Sequence, residues 1–321
     1  MNLSRERLLA QAASTGFRPE VLEKVLRLIS LLNALSSSPL VGDRIALKGG
    51  TALNLFFLDL PRLSVDIDLN YIGSISRGDL ARERKPFLLA LEATCAREGL
   101  SVQRRPTEYA GGKLALRYLS ALGSSANLEV DMNFLFRSLL WPVRSMNSMP
   151  VGETMASSIP VVDVHEVVAG KLVALLDRAT ARDLFDAAQL AEKAGLDTGK
   201  LRTAFVVYGA ASRRDWRTVS LANLPEDTVD VRNYLLPLLR GSAVDDRTMT
   251  DVATLRQRAL PLLERVLPLT SAEVQFLDDI NDRGVIDPAL LTADDTLADR
   301  IRACPALMWK AQNVREYKGL V

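Results

Sequence analysis

Apolar residues recur at two periods along the 321 residues of this chain. Val21, Leu22, Val25, Leu26, Ile29, Leu32 and Leu35 sit at helical spacing, so residues 19–36 read as a helix. Residues 4–14 form a shorter helix before it, and Gly16 and Pro19 punctuate the two. The period then changes. From Leu63 to Tyr71 the chain alternates: Leu63, Val65, Ile67, Leu69 and Tyr71 face one way, Ser64, Asp66, Asp68 and Asn70 the other. That is a strand with one apolar face. Leu128 to Phe134 repeats the design, with Glu129, Asp131 and Asn133 on its polar side. Between the two, 77–99 reads as a helix capped at Gly99, and 101–105 and 113–118 as strands. Pro142, Pro150 and Pro160 mark 141–160 as an irregular crossing. Beyond it the pattern is helical, near 163–195, 198–210, 228–240, 251–267, 271–282 and 296–302. The expected architecture is α/β (α+β): a small mixed sheet with helices over 1–155, then an all-helical half over 156–321.

The first alternating strand carries the clearest chemistry. Asp66 and Asp68 share its polar face about 7 Å apart. Paired carboxylates repel unless a cation lies between them, and a hard divalent metal that bridges to substrate phosphates answers that need. Upstream, an apolar lead at 45–47 delivers Lys48, Gly49 and Gly50 to a short helix from Thr51 to about Leu58. A glycine turn opening a helix offers backbone N–H groups to an anion. Arg62 and Ser64 flank the aspartates. One short region thus supplies a phosphate cradle and a metal clamp.

A second stretch opens the helical half. Asp163 followed by Glu166 has the spacing of a capping box. Val167, Lys171, Ala174 and Arg178 then fall on one stripe, which puts two cations on an otherwise apolar helix. Arg182, Asp183 and Asp186 follow, the two carboxylates on one face.

Lys48-Gly49-Gly50-Thr51-Ala52-Leu53 with Arg62-Leu63-Ser64-Val65-Asp66-Ile67-Asp68-Leu69 resembles the first motif of the AbiEii/AbiGii toxin family. These are nucleotidyltransferase-like toxins of type IV toxin–antitoxin and abortive-infection (phage-defence) systems, within the DNA polymerase β-type superfamily. The Glu166, Lys171, Arg178, Arg182-Asp183, Asp186 pattern also resembles that family, as does the tail 304–310. The resemblance implies a third carboxylate on a neighbouring strand, Asp131 with Glu129 as its competitor. It implies Mg2+ or Mn2+ on Asp66, Asp68 and Asp131. Lys48, Gly49, Gly50, Thr51, Arg62 and Ser64 would bind the NTP, and Lys171 its triphosphate, in a cleft between the halves. Arg178 and Arg182 would help hold phosphate, with Glu166, Asp183 and Asp186 shaping the site. An NMP would then move to an acceptor, the 3′ end of a tRNA, and an AbiEi-type antitoxin would be encoded nearby. The chain departs from relatives in having Gly-Gly where many have Gly-Ser. Glu129 stands where some carry a lysine, and Lys113 is the candidate to replace it.

Composition narrows the rest. With 48% hydrophobic and 25% charged residues, the chain suits a folded globular protein. A net charge of +1 is not that of a general nucleic-acid coat, though it permits a local basic patch. One such patch, Arg213, Arg214, Trp216 and Arg217, reads first as a surface loop and second as a base-stacking platform. Two distant cysteines and one histidine leave little for a disulfide, zinc or histidine-based site. No apolar run approaches the ~20 residues that span a membrane. A cytoplasmic monomer is expected. The alternatives are NMP modification of a protein, an NTP kinase, or a catalytically silent interaction protein that keeps the fold.

Overall fold

A computed structural model describes residues 3–193, 195–226 and 230–320. Two compact units emerge. The first holds 1–137, 143–162 and 232–247, the second 138–142, 163–231 and 248–321.

The first unit is built on a seven-stranded mixed sheet. Its strands are β1 (Ile45–Lys48), β2 (Asp66–Tyr71), β3 (Ser101–Arg104), β4 (Gly111–Leu119), β5 (Ser125–Asn133), β6 (Arg144–Met146) and β7 (Ile159–Val161), in the order β3-β4-β5-β2-β1-β7-β6. The parallel pairs are β2 with β5 and β1 with β7; the others run antiparallel. Alternation has the expected effect. Ile67, Leu69, Tyr71, Leu114, Leu116, Leu128, Val130 and Met132 are buried.

Helices α1 (Arg5–Thr15), α2 (Pro19–Ser36), α3 (Gly49–Ala52) and α4 (Arg77–Arg97) complete this unit. Tyr71 meets Phe87 of α4 edge-on at 5.1 Å and Phe134 at 5.3 Å. From α2, Arg27 lies 4.3 Å from the centre of the Tyr118 ring. Both helices therefore cover the apolar face of the sheet; on the other face Lys113, Arg117 and Asn127 are exposed.

In the second unit, α5 (Val164–Arg178), α6 (Ala181–Ala191) and α7 (Thr198–Ala210) are followed by α8 (Arg247–Thr250), which straddles the boundary. Then come α9 (Val252–Leu263), α10 (Ser271–Asp278), α11 (Asp295–Arg302) and α12 (Pro305–Lys318).

Several expectations change. The segment 141–160 contributes β6 and β7 to the sheet; strands of three residues carry too little alternation to see. The helix expected from Thr51 begins at Gly49 and widens into a π-turn at Leu53–Phe57. The helix expected over 163–195 breaks at Ala179, which is left-handed (φ 53°), and Thr180 caps a new helix through the Asp183 N–H. Within 228–240, residues 228 and 229 lie outside the described residues. Val231–Leu235 is a π-turn and Leu236–Leu238 a 3₁₀ turn. Helix α12 was read only as a tail motif.

Candidate active site

The register of the sheet puts the charged side chains in a row. Asp68 pairs with Lys48 on one side and with Asp131 on the other, and Asp131 pairs with Lys113. One step along the strands, Asp66 pairs with Glu129. Paired residues share a face, so two carboxylates stand side by side between two lysines. The aspartates and Glu129 are half-buried. Burial raises the Asp131 carboxyl above its ordinary range, and the neighbouring Asp68 raises it further, against the pull of Lys48 and Lys113. Lys113 bridges to Glu129 at 2.7 Å, and that hydrogen bond raises its ammonium. Glu129 is thereby tied to Lys113, whereas no partner is recorded for the Asp131 carboxylate among the described residues.

The turn before α3 is built against this row. Gly49 has φ 70°, and a Cβ there would lie 2.1 Å from Asp68 Oδ2. Only glycine permits that conformation and that approach. A Cβ on Gly50 would meet Ser64 Oγ at 3.0 Å and the Arg62 guanidinium at 3.3 Å. Arg62 and Ser64 are both buried behind the turn, and Arg62 donates to the Leu63 carbonyl at 2.9 Å. Thr51 is fully buried and its hydroxyl donates to the Asp66 carbonyl, tying turn to strand. Asn70, the next residue on the aspartate face, is fully buried with neither side-chain atom hydrogen-bonded. Alternation placed it on that face, but nothing in the sequence marked it.

Whether a divalent cation suits these residues can be judged from the row itself. Two adjacent carboxylates, with Asp68 adding to the raised proton affinity of the half-buried Asp131, are a fitting oxygen pair. Magnesium commonly takes one or two carboxylates and completes its shell with water and phosphate oxygens. No group of three or more His, Cys, Asp or Glu side chains converges closely enough to hold a metal alone, among the described residues. Asp68 and Asp131 therefore fit a metal shared with substrate.

The second unit carries the other cluster. Lys171 is buried and reaches Asp183 at 2.8 Å and Asp186 at 2.9 Å. Arg178, 60% exposed, contacts Asp183 through Nε at 2.9 Å, and the Thr180 hydroxyl donates to the same carboxylate at 2.7 Å. The break at Ala179 folds Arg178 back onto Asp183. Burial opposes ionisation of Asp183, but Lys171 and Arg178 outweigh it and hold the carboxyl well below its usual range. Arg182 is half-buried.

Glu166 does not form the expected capping box. Asp163 caps α5 through the His165 N–H, and Glu166 turns inward. There it accepts from the Leu140 and Trp141 N–H groups and the Tyr208 hydroxyl. His165 Nε2 accepts from the Asp197 N–H at 2.9 Å, so its proton sits on Nδ1, facing Asp163 at 2.8 Å.

The 213–217 patch is not a stacking platform. Trp216 is fully buried against Phe205 at 5.4 Å, and Arg217 is held by Asp215, Asp278 and Asp282.

The chain is similar in structure to MenT4, a nucleotidyltransferase toxin from Mycobacterium tuberculosis. The TM-score is 0.61 at 20% identity, over 96% of this chain and 99% of that one. No curated protein matches in sequence. The family described as "Nucleotidyl transferase AbiEii toxin, Type IV TA system" matches residues 30–266. With the motif turn and the aspartate row both inside that span, the chain belongs to the AbiEii family of nucleotidyltransferase toxins of type IV toxin–antitoxin systems.

Proposed function

We propose that the protein transfers an NMP from an NTP to the 3′ end of a tRNA in a magnesium-dependent reaction, and that a cognate AbiEi-type antitoxin relieves the resulting arrest. The observation that carries this reading is the Asp68–Asp131 pair, flanked by Lys48 and Lys113 and abutted by the Gly49 turn. Asp68 and Asp131 would hold the metal, with Asp66 one step along the same face. When bound, the metal neutralises triphosphate charge and polarises its oxygens. Gly49 and Gly50 receive the phosphates through backbone N–H groups, with Lys48 at the edge of the turn. Arg62, Ser64 and Thr51 support the turn from behind. In the helical unit, Asp183 and Asp186 fix the ammonium of Lys171, and Arg178 adds a second cation on Asp183. Glu166 holds the 138–142 segment in place.

The acceptor hydroxyl forms a bond to the α-phosphorus and gives its proton to Asp131, whose raised carboxyl suits it as a base. The α–β bridging bond breaks and pyrophosphate leaves. Positioning and charge neutralisation supply most of the acceleration.

Purified protein incubated with each NTP, labelled at the α- or at the γ-phosphate, magnesium and total tRNA tests this. The α-label should move onto tRNA, and Asp68→Ala should abolish it. Label on protein alone, or transfer only from the γ-position, would refute the tRNA or the nucleotidyl assignment respectively.

A further inference from the structure

The open face of the sheet extends beyond the catalytic row, and its far side is cationic. On β4, Lys113, Ala115 and Arg117 share the face of Asp131 and Glu129, because Lys113 pairs with Asp131, Ala115 with Glu129 and Arg117 with Asn127. The edge strand β3 adds to it. Ser101 pairs with Arg117 and Val102 with Leu116, but the register then slips and Arg104 pairs with Ala115. Without that slip Arg104 would stand opposite Leu114, on the apolar face. The bulge re-aims it onto the face of the aspartates, a use to which bulges near active sites are often put.

Arg104 and Arg117 are both exposed. Neighbouring surface cations are neutralised: Arg105 by Glu92 at 2.7 Å, Lys113 by Glu129, Arg82 by Asp79. Among the described residues, neither the Arg104 nor the Arg117 guanidinium has a carboxylate partner. Between and beside them stand Ser101 and Asn127, both exposed and polar. Leu119, exposed at the end of β4, is the large apolar side chain on this face; Arg104, Arg117, Ser101 and Asn127 make the rest of the exposed patch polar and positive, unlike the core of a protein–protein interface. Interfaces with nucleic acid are polar and positive, and a guanidinium fork matches a phosphate.

We infer that the open face of β3 and β4, centred on Arg104 and Arg117, is the platform on which the RNA acceptor lays its phosphate backbone to bring its end to Asp68 and Asp131. This rests on the nucleotidyl-transfer reading and adds to it the surface that receives the acceptor.

The test compares full-length protein with the Arg104→Gln/Arg117→Gln double variant. Anisotropy of fluorescein-labelled tRNA gives the affinity across a salt series, and α-labelled transfer gives the KM for tRNA. Each phosphate contact on a single strand contributes about 0.7 to the slope of log affinity against log salt, so two lost contacts should flatten it by about 1.4. The KM for tRNA should rise at least about tenfold. Arg105→Gln, whose cation is already paired, should bind as wild type does. A double variant with wild-type melting, slope and KM overturns the proposal. So does an equal loss in Arg105→Gln, which would signal charge in general. Wild-type protein that neither binds nor labels tRNA overturns the functional reading itself; tRNA labelling that the double variant keeps in full overturns only the platform.

Discussion

Raising pH should weaken the fold by forcing a charge onto the buried Glu166. Glu166 is 2% exposed, and its carboxylate accepts from Leu140 N and Trp141 N at 3.1 Å each and from Tyr208 Oη at 3.0 Å. Burial outweighs those bonds and pushes the carboxyl up to about 7, from an ordinary 4.5. Between those values the folded chain holds a proton that the unfolded chain has released. Stability from this group is therefore full below 4.5 and is lost as pH rises through 7. At 1.36 kcal/mol per pH unit, moving from pH 5.5 to 8.5 removes about 2 kcal/mol, since the loss stops once the folded carboxyl ionises. The assay is urea unfolding followed by tryptophan fluorescence. Trp141, Trp216 and Trp309 are the chain's three tryptophans, and all lie in the second unit with Glu166. Glu166→Gln carries no titrating proton, while every other group titrates alike in both proteins, so the difference in pH dependence isolates Glu166. Parallel stability profiles for wild type and Glu166→Gln would refute the reasoning.

Other outcomes follow from the same geometry. Lys171→Ala strands Asp183 and Asp186 without their shared cation and should cost about 3–5 kcal/mol; Lys171→Met with both aspartates changed to Asn should recover most of it in the urea assay, and failure to recover would show that the charge pairing is not what was lost. Asp183 acts with the opposite sign to Glu166: its depressed carboxyl contributes stability above the ordinary carboxylate range, lost only as acid falls through the depressed value, so Asp183→Asn should flatten the acid limb of unfolding. Gly49→Ala forces a side chain into the left-handed region, about 1–2 kcal/mol, and into the Asp68 carboxylate; calorimetry should find magnesium-dependent NTP binding lost while the fold persists. Asp131→Asn should lower transfer about a hundredfold or more, whereas Glu129→Gln, which frees Lys113, should cost far less; the reverse order would make Glu129 the working carboxylate.

Much of the aspartate row was legible because alternation is a strong signal. Period two fixed the faces of Leu63–Tyr71 and Leu128–Phe134 before any pairing was known, and Gly49-Gly50 marked the turn. Which strands would be neighbours was not legible, since register is a property of two strands. So the alignment of Asp68 with Asp131, and the tying of Glu129 to Lys113, needed coordinates. The same holds for Thr51, expected to face phosphate and found bonded to the Asp66 carbonyl. Charges that look alike in sequence separate on burial: Arg217 is neutralised by three aspartates, while Arg117, in an ordinary-looking strand, is not. The β3 bulge that turns Arg104 is a one-residue slip with no sequence signature.

The first unit is stitched together from distant stretches of chain. The Leu63 N–H, at the entrance to the first aspartate strand, donates to the Leu238 carbonyl at 3.0 Å. Those residues are 175 apart (238 minus 63). At 5–20 residues per second a ribosome needs roughly 10–35 s to travel that far. During that interval Asp66 and Asp68 exist but the Leu238 carbonyl that anchors the entrance to their strand does not. A chain assembled this way completes the backbone support of its aspartate strand only after about three-quarters of it has been synthesised.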